Sequence, residues 1–532
     1  MSDFSNKKIK IKKKINGLDE KTYIGKKGYG LKKDLFSKNE IDSIKEELKV
    51  TPYVGGDYGV VEKPFKVYRE NNTHLYLPKF FGIEKFGNPK SNVIHGGTTI
   101  DIQFSLELRN EQKIPAQKTM DAYHEKGGGI LSLGCGAGKT ILGLYFVSQI
   151  KKRTLVIVHK EFLMNQWIER IQFALPDAKI GIVQGNKCEI EGKDIIIGML
   201  QTLSMRDFEK DTFNSIGHVI IDECHRIPSR VFMKALFKIQ CKYMLGLSAT
   251  PNRKDGCTKV LKWFIGDIVF SLKSEQRNIV KVKRYLVDSQ DENYNREILN
   301  FKGQVQISSM MNQVSLYMKR TKLIVKLINE ELKEHEDRQI LILSDRKQQL
   351  EDFNKLLKSD GIDSVGYYVG GMKQKDLKKS ESCKVLLGTF PMANEGLDIP
   401  SLNSLILATP KSDIIQSIGR ICRVKHENIQ PLIIDIVDQF SVFERQAKKR
   451  FEVFRKNKSE IQDIKFDLDK NEIYMRKNYD YHHIDFEEKK KTKKKETLDL
   501  NQFQFSNNNE NKQKKDDFED LFNTLDVFSN KK

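Results

Sequence analysis

Short apolar runs separated by helix-like stretches constrain this chain more than any other feature. Between residues 129 and 247 they read GILSL, TLVIV, IGIV, DIIIG, HVIID and YMLGLS. A strand that is apolar at nearly every position, not at alternate ones, has both faces covered, which is the pattern of a parallel sheet between helical layers. A helical stretch around residues 318–333 separates this set from a second one: QILILS from Gln339, KVLLG from Lys384, SLILA from Ser404 and PLIIDIV from Pro431. The pattern predicts an α/β fold with two parallel-sheet lobes in tandem. A length of 532 residues agrees, since it exceeds what one ordinary core can organise.

The remaining sequence divides around these lobes. Residues 1–105 are turn-rich, as at Gly55-Gly56-Asp57-Tyr58-Gly59, and carry the aromatics Tyr68, Tyr76, Phe80 and Phe81. They are expected to form a small accessory domain whose aromatics and lysines either pack its own core or grip duplex nucleic acid. The first lobe is expected over 106–285, a helical linker over 286–335, the second lobe over 336–460 and an extension over 461–486. From 487 to 532 the chain turns to KKKTKKK and NNNENKQKK, which cannot bury enough apolar surface to offset the entropy of ordering, so a disordered tail is expected. Within it Phe518, Leu521, Phe522 and Leu525 have one-face helical spacing among acids, as a segment that docks on a protein partner would.

The formal charge of +20, from 92 Lys and Arg against 72 Asp and Glu, favours a polyanionic partner, although surplus lysine on solvated faces gives the same total. Residues 1–17 are basic without the apolar core of a signal peptide, and no stretch approaches the ~20 apolar residues of a membrane span. An intracellular, soluble protein without a membrane partner is expected. The seven cysteines form no CxxC pair, so neither a zinc site nor a disulfide framework is indicated.

One strand end carries recognisable chemistry. Gly134-Cys135-Gly136-Ala137-Gly138-Lys139-Thr140 follows an apolar strand and opens an apolar helix. Small residues let backbone N–H groups close around phosphate oxygens, Lys139 would neutralise the β and γ phosphates, and the Thr140 hydroxyl would ligate Mg²⁺. Leu133 stands where the strict phosphate-loop pattern has its first glycine. Downstream, Asp222-Glu223-Cys224-His225 directly follows the run HVII. Asp222 there would hold Mg²⁺ through water and Glu223 would polarise the attacking water. Arg420 and Arg423, three apart on an expected helix, would neutralise charge at the γ phosphate.

In this fixed order the set resembles superfamily 2 helicases, within the branch shared by the XPB helicase and helicases of large DNA viruses. The resemblance covers about residues 106–437 and implies two RecA-like lobes that bind ATP between them and move along DNA or RNA. It implies that Gln112, in Leu108-Arg109-Asn110-Glu111-Gln112, contacts adenine, with Gln117 as a second candidate. It gives Ser248-Ala249-Thr250 a role in coupling hydrolysis to lobe closure, and Gly388-Thr389 with Glu395-Gly396-Leu397-Asp398 a place facing nucleotide and nucleic acid, so that Gly396 and Asp398 join the nucleotide site. The runs LVIVHKEFLMNQW and LGLSATPNRKDG are similar to those of poxvirus transcript-release helicases. The expectations are therefore an ATP- and Mg²⁺-dependent helicase of viral transcription, repair or replication, with RNA polymerase or a transcription or replication factor as the tail's partner. Host cytoplasm, virion and nucleus are all open as locations. Alternatives are a duplex translocase that separates no strands, an ATP-switched binding factor and a structural virion component.

Overall fold

All six apolar runs of the first set become neighbouring parallel strands in one sheet. The computed structural model describes residues 22–52, 63–89, 91–134, 136–226, 229–249, 251, 253, 255–272, 279–397, 399–422 and 428–479. From one side the strand order is Ile180–Gln184, Ile195–Met199, Thr154–Val158, His218–Ile221, Tyr243–Ser248, Gly128–Leu133 and Ile268–Leu272, all parallel. The short strand Lys187–Cys188 adds an antiparallel edge. Alternation along one strand explains the unbroken apolar runs: Leu155 and Ile157 enter one core, Val156 and Val158 the other. Helices Asn110–Lys126, Lys139–Ile150 and Glu161–Ala174 cover the second face, while Leu200–Met205, Ser229–Leu236 and Thr258–Ile265 cover the first.

The amino-terminal region is fused to this lobe. Strands Thr22–Gly25, Gly28–Lys32, Arg69–Glu70, His74–Leu77 and Ser91–Asn92 form a separate sheet, yet its apolar side chains belong to the same core as Phe232, Val260 and Phe264 of the lobe. The join is the helix Lys79–Phe86, whose Phe81 meets Trp263 edge-on at 5.3 Å. Phe80, Phe81 and Tyr76 are buried, and Phe80 and Phe81 pack in a core shared with lobe 1. Lobe 1 also begins before residue 106: Ile100 and Ile102 are in its core, and Arg153 N–H donates to the Thr98 carbonyl at 2.8 Å.

The second sheet runs Val365–Tyr368, Val385–Gly388, Ile340–Leu343, Ser404–Leu407, Leu432–Asp438, Lys281–Asp288 and Glu460–Asp467 in parallel, closed by antiparallel Glu472–Tyr479. This moves two expected boundaries. The division at 285 falls inside a strand of the second sheet, and the expected extension after 460 supplies its last two strands. The expected linker is likewise part of the lobe, because helix Met318–Glu334 buries Leu323, Ile324, Leu327 and Ile328 against it. Charge hid the strand Lys281–Asp288: its Arg284 is buried and donates to Asp463 at 2.8 Å, with Asp435 3.7 Å away. The lobes touch through Phe162, which packs against both cores, and through Lys378 and Glu169, 2.7 Å apart.

Candidate nucleotide site

Topology brings the chemistry-bearing strand ends together. The strand Gly128–Leu133, which runs into the glycine-rich loop, lies beside Tyr243–Ser248, and that strand lies beside His218–Ile221, which runs into Asp222 and Glu223. All three point the same way, so the loop, Ser248 and the two carboxylates share the carboxyl edge of the sheet, where open α/β sheets bind ligands.

The loop needs its glycines. Gly136 and Gly138 have φ of 77° and 75°, a left-handed backbone that few other residues adopt. At Gly138 there is a second reason, since a Cβ there would lie 2.2 Å from Gln112 Nε2. Lys139 and Thr140 open the helix Lys139–Ile150, whose amino end carries backbone N–H groups and positive dipole suited to phosphate. Lys139 Nζ donates to the Leu133 and Gly134 carbonyls at 3.1 and 3.4 Å.

Gln112 is buried against this loop. Its Nε2 lies 3.4 Å from both the Ala137 and Gly138 carbonyls, and its Oε1 accepts from Arg109 N–H at 2.9 Å. Gln117, the second candidate, is exposed and bonds Asp121 one helical turn away.

The carboxylates differ in surroundings. Asp222 is buried; its Oδ2 accepts from Trp167 Nε1 at 2.9 Å and its Oδ1 from Glu223 N–H at 3.0 Å. Burial first, and the Glu223 carboxylate second, push the Asp222 carboxyl up to about 6 against the opposing pull of Trp167 and Lys139. Glu223 has φ of 45°, rare for a residue with a side chain, and its Oε2 is buried without a hydrogen bond. His225 Nδ1 is 3.4 Å from that oxygen and 2.9 Å from Ser248 Oγ, linking the carboxylate to the neighbouring strand end. Arg253 Nη1 donates to the His225 carbonyl at 2.6 Å.

In lobe 2, Arg420 lies on helix Ile415–Ile421, is buried, and donates from Nη1 to the Leu397 carbonyl at 2.8 Å. It thus braces the segment after helix Phe390–Gly396, which Gly396 ends. Cys135, Thr250, Asp398 and Arg423 lie outside the described residues.

Trp167 and the bridging role of His225 escaped sequence reading. The tryptophan is one of only two in the chain and sits in an otherwise ordinary amphipathic helix, so spacing alone gave no signal.

A parallel sheet with a glycine-rich loop, an adjacent acid pair and a lysine at one carboxyl edge, joined to a second such sheet, defines a two-lobed nucleoside triphosphatase. Comparison with known families narrows the class. Residues 105–253 match the family described as type III restriction enzyme, res subunit, and residues 320–425 match the helicase conserved C-terminal domain. A candidate ATP-dependent RNA helicase of Acanthamoeba polyphaga mimivirus is 35% identical over 451 residues, covering 83% of this chain and 86% of its own. A candidate helicase of Invertebrate iridescent virus 6 is 26% identical over 448 residues, covering 80% and 98%. A candidate ATP-dependent RNA helicase of African swine fever virus is 26% identical over 367 residues, covering 64% and 72%. The chain belongs to the superfamily 2 helicases, in the group found in large DNA viruses, and is an ATP-hydrolysing enzyme of that kind.

Proposed function

We propose that this helicase hydrolyses ATP with Mg²⁺ at the carboxyl edge of the first sheet and uses closure of the lobes to step along a nucleic acid strand, in the setting of viral transcription, with transcript release as the specific task. The observation that supports it most is that Gln112 and Lys139, each in the first turn of a helix at the glycine-rich loop, meet the sheet edge that carries Asp222 and Glu223. The buried Glu223 oxygen without a hydrogen bond fits a water or metal beside the phosphates, and the left-handed backbone of Gly136 and Gly138 fits a phosphate-binding turn.

Gln112 reads the base, the loop N–H groups and Lys139 bind the phosphates, and Thr140 and Asp222 would hold Mg²⁺. Bound Mg²⁺ would supply charge neutralisation at the β and γ phosphates. Glu223 takes the proton side of the attacking water, with His225 and Ser248 fixing its direction. Arg420, and Arg423 beside it in sequence, complete charge compensation from the second lobe. The net charge of +20 serves the phosphate backbone, which predicts binding that is tolerant of sequence and sensitive to salt. Among the described residues no helix is long and apolar enough to cross a membrane. The acidic, apolar segment 516–528, proposed to dock on a polymerase or transcription factor, lies outside the described residues.

The test is ATP hydrolysis with single- and double-stranded DNA and RNA, followed by strand displacement on tailed duplexes. Stimulation by at least one nucleic acid is expected. A rate unmoved by all four would overturn the reading, and stimulation without displacement would assign a translocase.

A further inference from the structure

The segment between strand Lys281–Asp288 and helix Met318–Glu334 folds over the carboxyl ends of the second sheet. Its Tyr294 hydroxyl donates to Asp438 at 2.6 Å, at the end of strand Leu432–Asp438. Arg346, just past strand Ile340–Leu343, donates to the Ser308 carbonyl at 2.9 Å. Gly388-Thr389 ends another strand of that sheet on the same edge.

From this layer rises a tight hairpin. Leu299 and Val305 pair as an antiparallel bridge, Asn300 N–H donates to the Gln304 carbonyl at 2.8 Å, and Gly303 turns the chain with φ of 71°. Asn300 Oδ1 accepts from the N–H groups of Lys302 and Gln304 at 2.9 and 3.0 Å, fixing the tip from within. The flanks are anchored, since Ile298, Val305 and Ile307 pack against the lobe core. At the tip Phe301 is 93% exposed, with the Lys302 ammonium 5.6 Å from its ring centre.

Single exposed apolar residues are common on protein surfaces, and what sets the Phe301 ring apart is its place on a turn pinned by the Leu299–Val305 bridge and the Asn300 side chain. A protein partner needs on the order of 800 Å² per side, and one ring on a polar tip offers far less. A nucleobase needs only one aromatic face, and a cation beside that face suits the attached phosphate. We propose that Phe301 stacks on an unpaired base of the nucleic acid engaged by this helicase, with Lys302 at the adjoining phosphate. The inference rests on the proposed action on nucleic acid.

The test uses the full chain and its Phe301→Ala, Phe301→Tyr and Phe301→Leu variants on tailed DNA and RNA duplexes, with 2-aminopurine as the first unpaired base. Thermal melting of each variant checks that the fold is intact. Phe301→Ala is expected to weaken binding of the tailed substrate about ten-fold and to lose the stacking-induced quenching of 2-aminopurine. Phe301→Tyr should keep both, and Phe301→Leu neither. Wild-type binding and quenching by Phe301→Ala, or by Phe301→Leu, would overturn the proposal while leaving the proposed function standing. Failure of the unaltered chain to bind any nucleic acid would overturn both. The DNA and RNA arms show which strand supplies the base.

Discussion

Trp167 donates its indole N–H to Asp222 across 2.9 Å in buried surroundings, so the helix Glu161–Ala174 orients the carboxylate proposed for Mg²⁺. Replacing Trp167 by Phe keeps most of the packing and removes the one donor. The buried carboxylate then loses a partner worth roughly 1–3 kcal/mol, and Asp222 becomes harder to ionise. The expected result is Mg²⁺-nucleotide affinity about ten-fold weaker, measured by titration with a fluorescent nucleotide, with cooperative melting retained.

Lys139 and Glu223 should fail in different ways. Lys139→Ala removes the cation proposed to meet the phosphates, so nucleotide binding itself is expected to fall. Glu223→Gln keeps the shape of the side chain but not its basicity, so binding should persist while turnover is lost. Parallel binding and steady-state measurements separate the two. Near-native turnover by Glu223→Gln would mean that another group activates water.

Arg420 holds the Leu397 carbonyl, and its proposed compensation of charge at the γ phosphate can be told apart from that brace. As a charge-compensating residue its loss, in Arg420→Ala, should lower hydrolysis on the order of a thousand-fold. As a brace alone, it would lower the melting temperature of lobe 2 and leave turnover of the folded fraction near normal. Turnover normalised to folded protein, compared with Arg420→Lys, decides between them.

The second lobe is held by a fully buried ion pair. Arg320 meets Asp438 through Nε at 2.7 Å and Nη2 at 2.9 Å, while Nη1 reaches the Ala408 carbonyl at 2.6 Å. Arg320→Met would leave Asp438 buried with its main partner removed, which costs roughly 3–5 kcal/mol. Chemical denaturation should show this loss. The double change Arg320→Met with Asp438→Leu should recover part of it, and no recovery would show that the tyrosine hydrogen bond to Asp438 matters more.

Legibility in the sequence followed the source of each signal. Strands buried on both faces announce themselves as apolar runs, and all ten such runs became strands. Lys281–Asp288 did not, since its buried Arg284 is paired with Asp463, 179 positions away, a relation that local pattern cannot carry. Glu472–Tyr479 is an exposed edge strand with no core face to set a pattern. The loop and the acid pair were readable because phosphate chemistry demands particular residues at adjacent positions. Trp167, the His225 bridge and Phe301 act through three-dimensional neighbours or exposure, so only the fold shows them.

Lys79 joins the small amino-terminal sheet to lobe 1, and its contribution to the stability of that joint should grow as the pH rises above about 8. Its ammonium is buried, donates to the Lys242 carbonyl at 2.8 Å and lies 5.0 Å from the Phe80 ring centre, and no carboxylate pairs with it among the described contacts. Burial pulls its pKa down from 10.5 to about 8. Between those values the unfolded chain holds the proton and the folded chain has released it, so the Lys79 contribution to stability rises with pH across this window. Below about 8 the folded protein carries the buried charge and its full penalty. In Lys79→Met that penalty and its pH dependence both vanish. Subtracting the variant's unfolding free energy from that of the unaltered chain cancels every other titrating group the two share. The difference is expected to move in favour of the unaltered chain by about 3 kcal/mol from pH 8 to 10.5. A difference that stays flat over that range would mean that Lys79 keeps its ordinary pKa and that solvent reaches the joint.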